Sequence, residues 1–121
     1  MIIEDYCSFE VAKLLKEKGF DERSYGSYNL QKEFQEGYGE WNKTSIYYAA
    51  PTHQMVMKWL REVHNIYIDI SPTYSEVEKA IHFIWQVFDS NYDDIGDCEI
   101  FYSKYETACE SAIKYCLENL I

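Results

Sequence analysis

The sequence predicts a two-layer α+β domain in which three helices pack on one face of a small, three- to four-stranded antiparallel sheet. Three segments carry apolar residues at the spacing of an amphipathic helix. Short segments rich in β-branched and aromatic residues lie between them, giving the order α, β, α, β, β, β, α. With 121 residues, 47% of them hydrophobic, the chain fits a single globular domain over residues 1–121 that buries its own core. Helices packed on one sheet face account for these elements in two layers.

The first two helices are predicted from their apolar stripes and from the residues at their ends. Ser8 is a suitable N-cap for a helix over residues 9–18, and Gly19 ends that helix in the left-handed conformation. Thr52 is the corresponding N-cap of the second helix, which ends at Asn65, another residue that tolerates left-handed backbone angles.

Strands are predicted on either side of the second helix. Residues 20–43 contain three glycines and few apolar residues, so we expect mainly loop there, with a strand over residues 28–34 as the alternative. Residues 44–49 are rich in Ile and Tyr and predict a strand. In residues 66–70 three isoleucines alternate with Tyr67 and Asp69, which predicts a half-buried strand.

Residues 76–88 fit both a helical stripe and a strand alternation. We favour a strand over residues 80–88, because this segment is dense in β-branched and aromatic side chains that alternate without a break. A turn over residues 89–94 and a partner strand over residues 98–102 would then follow.

The last helix is predicted from a capping box, in which Ser103 and Glu106 satisfy each other's free backbone donors at the helix start. An apolar stripe then continues to Leu120. On its solvent-facing side, Glu110 and Lys114 have the spacing of a favourable i,i+4 ion pair.

The charge is distributed unevenly along the chain. The formal net charge is −10. Residues 1–61 carry nine acidic and eight basic side chains, whereas residues 62–121 carry twelve acidic and three basic ones. A field of this sign repels phosphate backbones and attracts cations, so we expect no direct binding to nucleic acid and favour basic partners or divalent cations.

The N-terminus and the cysteines predict a cytoplasmic, reduced protein. Two acidic residues occur within the first five positions, and no apolar stretch of signal-peptide or membrane-spanning length is present. The four cysteines form no C-x-x-C pair, and we expect them to serve as small core residues. We therefore predict no membrane association.

No complete metal or cofactor motif is found, and we expect no cofactor. Asp89, Asn91 and Asp93 are the candidate metal ligands, since their spacing matches the first three oxygen ligands of a calcium loop. The loop's glycine and closing glutamate positions hold Asp94 and Ile100 instead, so we interpret this segment as a hairpin turn.

No catalytic residue is assigned. Cys7 and Cys98 are the cysteines that remain as candidate thiols, and neither has an electropositive neighbour in the sequence. An alternative is a dispersed enzyme or ligand site on the open sheet face, built from Tyr67, Asp69 and His82.

Three stretches of the chain are similar to a group of known proteins. They are residues 8–20, residues 50–66 and residues 105–121. Together they resemble short uncharacterised proteins of gut-bacterial phages and mobile elements. The resemblance implies a bacterial or phage cytosolic setting and favours a strand over residues 80–88; it implies no activity.

Besides the dispersed site, the sequence leaves an interaction function open, in two forms. The first is a non-enzymatic interaction or accessory protein that binds another protein or a second copy of itself; twelve tyrosines and the one-sided acidic field favour it. A sharper form is an acidic mimic of nucleic acid that occupies the groove of a host DNA-binding protein.

Overall fold

The computed structural model describes residues 1–121 and shows three α-helices and six strands. The elements, in chain order, are α1 Phe9–Glu17, β1 Ser24–Asn29, β2 Phe34–Gly39, β3 Tyr47–Ala49, α2 His53–His64, β4 Tyr67–Ser75, β5 Ala80–Phe88, β6 Asp94–Asp97 and α3 Tyr105–Asn119. The predicted α+β class and the three helices are confirmed. The strands form two sheets, however, where we predicted one.

Each sheet has three antiparallel strands, in the orders β2-β1-β3 and β4-β5-β6. Helix α1 packs on the first sheet through Phe9, whose ring lies 5.6 Å from Tyr28 and 5.2 Å from Tyr48. Helix α3 packs on the second sheet, where Trp85 lies 5.2 Å from Tyr115. The helices thus join two sheets through one continuous core of 20 buried residues.

The ends of the first two helices follow the sequence. The hydroxyl of Ser8 accepts a hydrogen bond from the backbone N–H of Val11, and Thr52 caps α2 in the same way. Gly19 has φ +90° and Asn65 has φ +55°, as expected of left-handed residues just beyond helix ends.

The strand predicted over residues 80–88 is β5, with the predicted boundaries. It pairs along its full length with β4, which continues five residues past the predicted end at Ile70. The predicted partner strand over residues 98–102 is wrong, because the third strand is β6 at Asp94–Asp97. Its sequence, with one aspartate at each end, lacks the apolar alternation that would have revealed it.

The predicted capping box at Ser103 is also wrong. The backbone N–H and C=O of Tyr102 both bond to Phe83, at 2.9 and 2.7 Å, so the chain stays extended there. Helix α3 begins only at Tyr105, after Lys104, with no side-chain cap.

Residues 20–43 hold two strands and a short 3₁₀ helix at Trp41–Lys43, where we predicted mainly loop. The alternative strand over residues 28–34 is not a single strand: it spans the end of β1, the turn at residues 30–33 and the first residue of β2. Across this turn the rings of Tyr28 and Phe34 meet at 5.5 Å, edge to face. Aromatic contacts of this kind stabilise the hairpin without a regular apolar alternation.

Strand β4 is the outer strand of its sheet and contains Pro72. Opposite Pro72, Phe83 directs its N–H and C=O away from β4, toward Tyr102. The backbone of Pro72 therefore also faces away from the pair, and the outer edge of β4 lacks one donor at that position.

None of the three helices is both long and apolar enough to span a membrane.

Candidate functional site

Two neighbouring features surround the N-terminus of α2. Residues 5–7 run antiparallel to residues 51–53, through hydrogen bonds from Cys7 N to Pro51 O at 2.9 Å and from His53 N to Asp5 O at 3.0 Å. This short ribbon brings the N-termini of α1 and α2 together beside α3. One feature, the polar junction, consists of Ser8, His53 and Glu110; the other is a pocket lined by tyrosines.

The polar junction is centred on the carboxylate of Glu110, which projects from α3. Its Oε1 lies 2.8 Å from Nε2 of the buried His53, and its Oε2 accepts a short hydrogen bond from the hydroxyl of Ser8. The backbone N–H of Ser8 lies 3.3 Å from both carboxylate oxygens. One carboxylate therefore holds the first turns of α1 and α2 against α3.

Burial of Glu110 on its own would raise its pKa, but the hydrogen bonds from His53 and Ser8 outweigh burial and lower the pKa. The group is thus a carboxylate at neutral pH. The predicted pair with Lys114 is wrong, because Lys114 reaches Glu10 on α1 at 3.0 Å instead.

The polar junction differs from a nucleophilic triad. In a triad the imidazole lies between the nucleophile and the carboxylate, whereas here the hydroxyl of Ser8 donates directly to Glu110. Cys7 lies close by and is fully buried; burial, followed by the nearby Glu110 charge, raises the pKa of its thiol far above the ordinary value. Neither side chain has the environment of an activated nucleophile.

The second feature, the tyrosine pocket, has a volume of about 330 Å³ and is lined by Tyr6, Tyr25 and Tyr38 together with Arg23 and Met55. The rings come from the N-terminal ribbon, β1 and β2. Tyr25 and Tyr38 contact each other edge to face at 4.8 Å, and they are 40% and 70% exposed. Large aromatic surface is therefore available to a ligand from outside.

Charges of both signs border the tyrosine pocket. The guanidinium of Arg23 lies 5.9 Å from the ring centre of Tyr38 and within 4 Å of no carboxylate, while Glu4 also lines the pocket. Burial, then the nearby carboxylate of Glu36, raises the pKa of Tyr6, which keeps its phenol neutral. The pocket thus offers apolar ring surface with hydroxyl, cationic and anionic groups at its border.

The residues of the predicted dispersed site share one sheet face but do not converge. Asp69 pairs with Gln86, whereas His82 pairs with Thr73, about 13 Å further along the strand at 3.3 Å per residue. The carboxylate of Asp69 accepts from the hydroxyl of Ser71, and His82 bonds to Glu78. Tyr67 lies further from His82 still, opposite Phe88 at the end of the sheet.

The predicted calcium-loop residues lie in the turn between β5 and β6. Oδ1 of Asp89 accepts hydrogen bonds from the backbone N–H groups of Asn91 and Asp93, at 2.9 and 3.1 Å. The carboxylate of Asp89 thus organises the turn in the way expected of a hairpin. No group of three or more His, Cys, Asp or Glu side chains in the structure is arranged to hold a metal ion.

Comparisons with protein-family models, curated proteins and solved structures found no match to this chain. Sequence reasoning missed both the polar junction and the tyrosine pocket, because their members lie up to 102 residues apart. The one signal in the sequence was the number of tyrosines, of which six of twelve are exposed.

Proposed function

We propose that the protein is a non-enzymatic interaction protein that holds a segment of a partner protein in the tyrosine pocket. The observation that carries this proposal is the exposed pair of Tyr25 and Tyr38 beside a cavity that Arg23 and Met55 also line. Protein interfaces are enriched in Tyr, Arg and Met, and their strongest contacts are anchor side chains that fill such pockets.

The polar junction supports a structural role for the polar groups beside this pocket. Ser8 and Glu110 are used in holding three helices together, and the neighbouring Cys7 is a buried neutral thiol. Because these bonds tie the N-termini of α1 and α2, next to the pocket, to α3, we expect little rearrangement of the binding surface on association, which lowers its entropic cost. A cytoplasmic setting in a phage or mobile element, implied by the resemblance of residues 8–20, 50–66 and 105–121, is part of this proposal.

Peptide display tests the proposal directly. A random peptide library selected on the immobilised protein should yield peptides with an aromatic or large aliphatic anchor. Tyr25→Ala and Tyr38→Ala should each weaken their binding about tenfold or more, as expected for central anchor contacts. Tyr92→Ala is the matched control, since Tyr92 is 78% exposed in the β5–β6 turn and does not line the pocket. Peptides that bind Tyr38→Ala and wild type equally well would refute the proposal.

A small-molecule ligand is the second candidate, and the pocket volume favours it. A volume of about 330 Å³ lies at the lower end of the range of ligand sites. Fragment screening by NMR distinguishes a small-molecule ligand from a partner segment. Fragments that shift the resonances of Tyr25 and Tyr38 but do not compete with any selected peptide would favour the small-molecule ligand.

The acidic-mimic alternative draws support from a different observation. Of the ten exposed acidic side chains in residues 62–121, Glu78 alone has an ion-pair partner, the histidine His82. A mimic should compete with DNA for a basic host protein and lose that competition as salt increases.

A further inference from the structure

A second surface, independent of the tyrosine pocket, lies at the far end of the second sheet. The β4–β5 turn and the segment after β6 together line an open cavity of about 440 Å³. We call this surface the hairpin patch and define it by Val77, Glu78, His82, Glu99, Ile100 and Phe101.

The apolar members of the hairpin patch are unusually exposed. Val77 is 92% exposed, and Ile100 and Phe101 are 60% exposed each. They come from two separate segments that meet around one cavity, so they form a contiguous patch rather than scattered surface residues. Contiguous exposed apolar surface with a polar rim marks interaction sites.

The charged residues that line the hairpin patch are acidic. Glu78 and Glu99 are the two formally charged residues that line it, and no lysine or arginine does. Glu99 is exposed and has no ion-pair partner. The patch also lies in the half of the chain that carries twelve acidic and three basic side chains.

A buried polar atom lies next to the same cavity. His82 is 9% exposed; its Nε2 lies 2.6 Å from Glu78, and its Nδ1 is buried without a hydrogen-bond partner. Buried polar atoms without partners are rare in native proteins, because each costs about 1–3 kcal/mol. The imidazole of His82 therefore has one buried hydrogen-bonding position that the protein leaves unused, in a side chain that lines the same cavity as the exposed apolar residues.

We propose that the hairpin patch binds a basic amphipathic segment of a partner protein, one whose apolar side chains cover Val77, Ile100 and Phe101 while its Lys or Arg residues face Glu78 and Glu99. Charge complementarity selects this occupant. A second copy that met this surface with its own hairpin patch would bring acidic surfaces together, and nucleic acid or an anionic membrane would be repelled.

The test uses three labelled peptides and fluorescence anisotropy on the full-length protein. The first peptide has a Leu face and a Lys face, the second has Glu in place of every Lys, and the third has Ser in place of every Leu. The first should bind at least about tenfold more tightly than either of the others. Binding of the third as tightly as the first would overturn the proposal, since charge alone would then explain it.

Single substitutions test whether the first peptide binds at the hairpin patch. Phe101→Ser should weaken binding of the first peptide about tenfold. Glu99→Gln should weaken it and reduce its salt dependence. Leu30→Ser, at an apolar side chain 52% exposed in the first half of the chain, and Lys79→Gln, in the same turn but outside the lining, are the matched controls.

Two outcomes would refute the assignment even if the protein binds the first peptide. One is that Phe101→Ser and Leu30→Ser weaken the binding of the first peptide equally. The other is a dimer, seen by sedimentation, that Phe101→Ser dissociates, because the patch would then be an interface between copies. Ile100→Ser serves in place of Phe101→Ser if thermal unfolding shows that the latter is not folded. Tyr38→Ala should leave this binding unchanged, which separates the hairpin patch from the tyrosine pocket.

Discussion

Replacing Glu110 with alanine removes the common acceptor of three donors: the hydroxyl and backbone N–H of Ser8 and Nε2 of His53. The side chain of His53 is 8% exposed and that of Glu110 is 27% exposed, so water replaces these bonds incompletely. Leaving a buried donor unpaired costs about 1–3 kcal/mol. One buried and two half-buried donors lose their acceptor, and the desolvation of the carboxylate is relieved, so we expect the free energy of unfolding to fall by about 3 kcal/mol.

Urea unfolding followed by tryptophan fluorescence at neutral pH measures this loss. Glu110→Gln keeps the shape and one acceptor oxygen, so it should lose about half as much. Glu106→Ala, at an exposed position one turn earlier on α3, should lie within about 0.5 kcal/mol of wild type. If Glu110→Ala and Glu106→Ala have the same free energy of unfolding, the polar junction does not stabilise the fold.

The same variants give a pH test with a defined sign. Hydrogen bonds lower the pKa of Glu110 below the ordinary 4.5, so the unfolded chain takes up the proton at a higher pH than the folded chain does. The stabilisation is present above pH 4.5 and is lost as pH falls through the folded-state pKa. The stability difference between wild type and Glu110→Gln should therefore shrink as pH falls from above 4.5 through the folded-state pKa. A difference that grows on acidification would contradict this assignment.

Two further experiments test the packing of the core and of the second sheet. Burial raises the pKa of Cys109 to about 11 and also raises the pKa of Cys7 and Cys116. At pH 8 a thiol reagent should therefore label at most Cys98 quickly in the native protein, and all four cysteines only after denaturation. Rapid labelling of more than one thiol in the native protein would contradict the core described above. At Gly96 an added Cβ atom would overlap the ring of Tyr115, so Gly96→Ala should lower the free energy of unfolding by about 1–3 kcal/mol. Tyr115→Leu in the same chain should recover part of that loss. An unchanged melting temperature for Gly96→Ala would show that the ring moves freely.

Element boundaries were predictable where a local chemical signal decides them. Ser8, Thr52 and Asn65 act on backbone groups within a few residues of themselves, so the sequence shows both the residue and what it does. Strand β5 was predictable because its alternation is complete. The start of α3 was not, because the competing bonds of Tyr102 come from Phe83, nineteen positions earlier.

The candidate site was less predictable, since it is made by tertiary contacts. Helical periodicity alone assigns Glu110 to the solvent side of α3 next to Lys114. Because α1 packs on that side, Glu110 instead bonds to Ser8, and Lys114 pairs with Glu10. The tyrosine pocket likewise unites Tyr6, Tyr25 and Tyr38 from three segments that no spacing rule connects.

The ring of Pro72 affects how copies of this protein behave when they are crowded. A nine-residue outer strand is long enough to template a neighbouring molecule, and such templating begins fibrils. Because one amide hydrogen is missing midway along that edge, an added strand cannot form an unbroken ladder of hydrogen bonds along the whole length of β4. The exposed tyrosines can therefore remain at the surface while the outer edge of β4 resists the addition of a further strand.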